Sequence, residues 1–108
     1  MMGTIVYHNL LSFLLDEGDC TLSELIEQGA TRYDFDRNRM MFEFEMALKM
    51  MPNHIQLIGD GKYHKISEFA DTDSLLGFVK RAPVGYFEAH PLWKKFYDDL
   101  EKKRCFDN

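Results

Sequence analysis

A chain of 108 residues, 45% of them hydrophobic, carries enough apolar material for one core and reads as one domain, 1–108. No apolar run approaches the roughly 20 residues that cross a bilayer, and nothing resembles a signal peptide, so a soluble, cytoplasmic protein is expected. The net charge of −5 counts against a generic nucleic-acid binder, whose non-specific affinity comes from neutralising phosphates.

The acidity belongs to one end. The first 31 residues hold Asp16, Glu17, Asp19, Glu24 and Glu27 with no Lys or Arg, while the remaining 77 balance 13 acids against 13 bases. Thr4 caps a first predicted helix with Val6, Leu10, Phe13 and Leu14 on one face and Gly18 beyond its end. Thr21-x-x-Glu24 is a capping box that opens a second helix, with Leu22, Leu25 and Ile26 inward and Gly29 as its stop. About two turns long, it must pack against something to persist.

A third helix is predicted over 34–51, with Asp34 and Asp36 at its N-terminus and Pro52 ending it. It carries two apolar stripes. Met40, Phe44, Ala47 and Met51, with Leu48 beside them, form one; Phe35, Phe42, Met46 and Met50 form the other. Such a helix buries both stripes or offers one to a partner, and burial of both within the fold is the plainer expectation.

Residues 53–66, NHIQLIGDGKYHKI, read as a β-hairpin about a two-residue primed turn at Asp60-Gly61. That turn sets Ile58 opposite Tyr63, Leu57 opposite His64 and Ile55 opposite Ile66. Ile55, Leu57 and Ile66 then face inward, with Gln56, Tyr63 and Lys65 outward. Tyr63, an aromatic on the outer face beside Lys65, is a candidate partner contact. A fourth helix starts at Asp71-Thr72-Asp73, carries Leu75, Leu76, Phe78 and Val79, and ends before Pro83. The connector APVGYFEAHP leads to Pro91 at the first position of a fifth helix, with Leu92, Trp93, Phe96, Tyr97 and Leu100 on one face. Lys94/Asp98, Lys95/Asp99, Asp98/Lys102 and Asp99/Lys103 are spaced as i,i+4 pairs on the other. The predicted class is mainly α with one β-hairpin.

Three helices, the second short and capped, then a long third running into a hairpin: over about 4–66 this order resembles the winged helix-turn-helix superfamily. The resemblance implies a winged-helix-like core with a two-helix C-terminal extension at about 71–104. In DNA-binding members the third helix enters the major groove and the hairpin touches backbone or minor groove. By position, Arg37, Asn38, Arg39 and Lys49 would be the helix contacts and Lys62 and Lys65 the wing contacts. Many members are instead protein-interaction modules, and small acidic ones are encoded by phages and mobile elements. The helix itself holds four acids against three bases over 34–51, a balance closer to the interaction modules. Arg and Asn at its start retain the capacity for base readout.

Signals for chemistry are sparse. His8, His54, His64 and His90 are scattered, and His54 and His64 are not cross-strand partners, so no metal site is expected. Cys20 and Cys105 lack metal spacing and read as two reduced thiols. Gly59-Asp60-Gly61 is explained by the turn, and Glu43 and Glu45 point to different helix faces. No nucleophile motif or phosphate loop occurs, and no cofactor or catalytic residue is expected. Two function classes follow. One is a non-enzymatic regulatory or inhibitory module that binds a protein partner or forms a homodimer, through Phe35, Phe42, Met46, Met50 and Tyr63. The other is a sequence-specific DNA-binding regulator using Arg37, Asn38, Arg39, Lys49, Lys62 and Lys65.

Overall fold

The computed structural model describes the backbone of residues 3–83 and 85–107, and the side chains of those residues up to Cys105. It is mainly α-helical with one two-stranded antiparallel hairpin and further helices after it. Helix α1 (Gly3–Glu17) starts before Thr4, which therefore lies in its first turn and is not its cap. From Asn9 to Leu15 every side chain is buried, because helices and hairpin surround α1 on all sides.

Helix α2 (Leu22–Tyr33) opens on the expected capping box. The Thr21 hydroxyl accepts from the Glu24 amide at 3.1 Å, and the Glu24 carboxylate accepts from the Thr21 amide at 2.9 Å. Its predicted stop is corrected: α2 passes through Gly29 and ends at Asp34, which takes the left-handed conformation at φ 57°. Gly29 is buried where α3 crosses, and a Cβ there would strike the Met40 sulfur. Since Asp34 terminates α2, helix α3 (Arg37–Met50) begins later than predicted, with Asp36 accepting from the Arg39 amide at 2.8 Å.

The hairpin comprises β1 (Ile55–Leu57) and β2 (Tyr63–Lys65). Asp60 and Gly61 both adopt positive φ, 65° and 71°, as a primed turn requires. The register, however, is one residue off the prediction: Ile55 pairs with Lys65, Gln56 with His64 and Leu57 with Tyr63. The Ile58 amide donates to the Lys62 carbonyl at 2.8 Å, and the Lys62 amide to the Gly59 carbonyl at 3.4 Å. Ile58 and Gly59 thus share one opposing residue, a bulge that absorbs the extra position. Cross-strand partners share a face, so Tyr63 and Lys65 turn inward with Ile55, contrary to the outward placement expected. Ile66, expected to be buried, is exposed, and so is Leu57, although as the partner of Tyr63 it shares the face of Ile55. Cys20 forms a one-residue bridge to Tyr63, which joins the α1–α2 connection to the hairpin.

Helix α4 (Thr72–Lys80) is capped by Asp71, whose carboxylate accepts from the Ser74 amide at 3.0 Å. A short helix α5 (Tyr86–Ala89) interrupts the predicted connector, and α6 (Pro91–Asp107) starts at its proline. Val84 of that connector lies outside the described residues. Phe96 of α6 enters the core, with ring centroids 5.8, 5.2 and 5.7 Å from those of Phe13, Tyr33 and Phe35. Of the four predicted i,i+4 pairs, Lys94–Asp98 alone forms among the described residues, at 3.0 Å. Lys103 reaches Asp16 at 2.5 Å instead, and Asp99 accepts from the Tyr33 hydroxyl at 2.7 Å. Among the described residues no helix is long and apolar enough to cross a membrane.

Candidate functional site

Helix α3 presents opposite faces to opposite environments. Met40, Phe44 and Ala47 enter the core, while Leu48 and Met51 pack on its edge. Glu43 is buried beside them and accepts from Arg39 Nε at 3.1 Å. The fold does not cover the second stripe, against the plainer expectation: Phe42, Met46 and Met50 are 60%, 44% and 70% exposed. They lie four residues apart, so side chains one turn above another form a continuous outward ridge.

Phe35 does not belong to that ridge. It precedes α3, is 3% exposed, and stacks on Trp93 with centroids 5.5 Å apart and planes 11° from parallel. Its edge contacts with Tyr7 and Phe96 complete a core position, so its candidacy as a partner contact is corrected. Tyr63 is half-buried, packs against the core and exchanges backbone hydrogen bonds with Cys20 at 2.7 and 3.3 Å. It also borders a groove between α3 and the hairpin, lined by Leu22, Leu48, Pro52, Ile55 and Leu57 together with the polar Glu45, Lys49 and Gln56. Leu57 keeps the face it shares with Ile55 and Tyr63, as alternation expects, yet it is 60% exposed, because lying on that face does not by itself bring a neighbour to cover it. Met41 is likewise exposed and outside both predicted stripes.

The basic side chains mostly serve the chain itself. Arg37 grips Glu27 through two contacts, at 2.5 and 3.2 Å, and those hydrogen bonds hold the Glu27 carboxyl below its ordinary pKa. Arg39 pairs with Glu43 and lies 5.4 Å over the Tyr7 ring. Lys65, one of the expected wing contacts, is only 10% exposed and donates to Ser12 Oγ, Asp16 and Glu68 at 2.7, 3.0 and 2.8 Å. Asn38, Lys49 and Lys62 have no side-chain hydrogen bond or ion pair among the described residues.

Ser12 and Lys65 have the composition of a nucleophile and its base, yet the ammonium is enclosed by two carboxylates and the Ser12 hydroxyl donates to Glu68 at 2.9 Å. The arrangement is an ion cluster that fastens the hairpin to α1. Burial alone would raise the Glu68 carboxyl, but Lys65, the Ala70 amide and Ser12 outweigh it and hold that carboxyl low. A polar cleft of about 300 Å³ adjoins the cluster, and its charges are neutralised across it by Lys103–Asp16 and Arg104–Asp73. His54 bonds Ser67 at 2.7 Å and His64 bonds Asp19 at 2.8 Å, each through Nδ1. Among the described residues no three His, Cys, Asp or Glu side chains converge to hold a metal ion. Cys20 is buried, Cys105 is exposed, and the two are not bonded.

Comparison with known proteins returns nothing for this chain: no family model, no curated protein and no solved structure matches it.

Proposed function

We propose that this protein is a small non-enzymatic regulatory or inhibitory module that acts by binding protein, through the ridge Phe42, Met46 and Met50 on α3. One observation carries the reading. Three large apolar side chains stand in a row on the water side of a helix whose other face is firmly in the core. Water contact at such a row is unfavourable, and a contiguous exposed patch on a folded surface marks an interaction site. Methionine suits that use because its unbranched, polarisable chain repacks against differing surfaces. The winged helix-turn-helix resemblance is part of the proposal: the helix that leads into the hairpin would be the presenting element.

DNA binding is the alternative, supported by the unengaged Asn38, Lys49 and Lys62. It is the weaker reading, since Arg37, Arg39 and Lys65 are committed to Glu27, Glu43, Asp16 and Glu68 within the chain. Phosphate contacts need free cations, and fold alone does not fix function. Capture from a nuclease-treated lysate tests the choice. Wild type should retain a protein partner that Phe42→Asp loses, while Asn38→Ala combined with Lys62→Glu keeps it. Capture lost only in the Asn38/Lys62 variant, or only after nuclease treatment, would overturn the protein-binding reading.

A further inference from the structure

We propose that the surface that covers the α3 ridge is the same ridge of a second copy, with the two α3 helices antiparallel about a two-fold axis at Met46. This deepens the protein-binding reading and rests on it.

The ridge is its own reverse. Phe42 and Met50 each stand four residues from Met46, on opposite sides, so an antiparallel copy lays Phe42 against the partner's Met50 twice and Met46 against itself. A thioether against an aromatic ring is a favourable contact, and a flexible side chain on the axis can adapt to its own image. At a rise of about 1.5 Å per residue the ridge covers roughly 12 Å of helix, enough for three interlocking layers. A two-fold axis makes the contact isologous and closes the assembly at two copies.

The flanking charges select the same geometry. At about 100° per residue, Glu45 and Lys49 fall on one side of the ridge, a turn apart. Arg39 and Glu43 fall on the other and are joined to each other at 3.1 Å. Neither Glu45 nor Lys49 has an ion-pair partner among the described residues. An antiparallel two-fold brings each flank against its own counterpart, so Glu45 of each copy meets Lys49 of the other. A parallel pairing would set the Glu45/Lys49 flank against Arg39 and Glu43, whose charges are already neutralised. Flanking ion pairs of this kind set the orientation of packed helices.

Sedimentation equilibrium of the full chain from low to high micromolar concentration tests the proposal, with circular dichroism to confirm folding. Wild type should dimerise, and Phe42→Asp should abolish the dimer. Glu45→Lys alone, or Lys49→Glu alone, replaces two attractions with two repulsions and should weaken the dimer about tenfold. The double variant Glu45→Lys/Lys49→Glu should restore it, and so should an equimolar mixture of the two single variants, through heterodimers. A monomer at every concentration overturns the proposal, as does a dimer indifferent to Phe42→Asp or to the charge exchanges. The first of these failures leaves the protein-binding reading standing, because a Phe42-dependent capture of another protein is measured separately.

Discussion

Gly29 sits on the buried side of α2 where α3 crosses it. An added Cβ there would strike the Met40 sulfur and lie 3.4 Å from Leu10 Cδ2, and Met40 is fully buried, so its side chain must repack within the core to make way. Gly29→Ala therefore sets two effects against each other. Alanine favours the helix by about 1 kcal/mol, while overpacking a tight site costs about 1–3 kcal/mol. The clash should win, with a net loss of about 1 kcal/mol in urea denaturation, and adding Met40→Leu should cost less than the sum of the two single changes. A more stable Gly29→Ala protein would show that the crossing is loose. In the sequence this glycine looks like a helix stop, since a glycine after an apolar run is often a C-cap; its actual reason, contact with Met40, is visible only once α3 is in place. Glu68 carries a prediction of the same local kind. Its carboxyl is held below the ordinary value of 4.5, so the fold favours the ionised form. That contribution is fully present above the ordinary value and is lost as pH falls through the lowered one. Stability measured from pH 6 downward should fall below about pH 4.5, and less steeply in Glu68→Gln. An unchanged slope would remove Glu68 from the acid limb.

At the scale of elements, the hairpin separates what local chemistry decides from what the tertiary structure decides. Its turn is legible in the sequence because Asp60 and Gly61 are the residues that tolerate positive φ, and both adopt it. Its register is not legible, because the inward face is set by groups far along the chain. Lys65 reaches Ser12 and Asp16 on α1, and Tyr63 pairs with Cys20. Holding those contacts with this turn leaves one residue surplus, and the Ile58-Gly59 bulge takes it up. Two changes should therefore differ. Gly61→Val forces a β-branched residue to φ 71° and should cost about 1–3 kcal/mol. Deleting Gly59 removes the bulge, leaves Ile58 directly opposite Lys62 and preserves the Leu57–Tyr63 and Ile55–Lys65 pairs, so it should cost less than about 1 kcal/mol. Cross-strand NMR contacts in the deletion variant check the register, and loss of the Leu57–Tyr63 pairing would show that Gly59 is not simply a surplus residue. The start of α3 follows the same logic: two aspartates close together both look like its cap, and the αL geometry of Asp34 assigns one to α2 and moves Phe35 into the core.

At the scale of the whole molecule, the helices after the hairpin complete the core that α1, α2 and α3 begin. The apolar face of α6 is legible in its sequence; its destination is not, since nothing local announces that Asp99 will meet Tyr33 or that Lys103 and Lys65 will share Asp16. Phe96 is fully buried among Phe13, Tyr33 and Phe35, so it touches α1, α2 and the connection to α3 at once. Phe96→Ala should cost about 3–5 kcal/mol, because those rings belong to different elements and cannot all collapse into the space left. Trp93, the one tryptophan of the chain, stacks between Phe35 and His90, at 5.5 and 4.0 Å, so its fluorescence reports the docking of α6 onto the α2–α3 connection. Far-ultraviolet circular dichroism reports all the helices together. If residues 4–66 formed an independent core with an appended extension, the tryptophan signal would change at lower urea than the dichroism, and Phe96→Ala would move the first transition alone. The shared aromatic cluster predicts the opposite: the two urea curves superimpose in wild type, and Phe96→Ala shifts both by the same amount. Separate midpoints in the wild-type protein would defeat that prediction, because they would show that Tyr33 and Phe35 stay packed after Phe96 has left them.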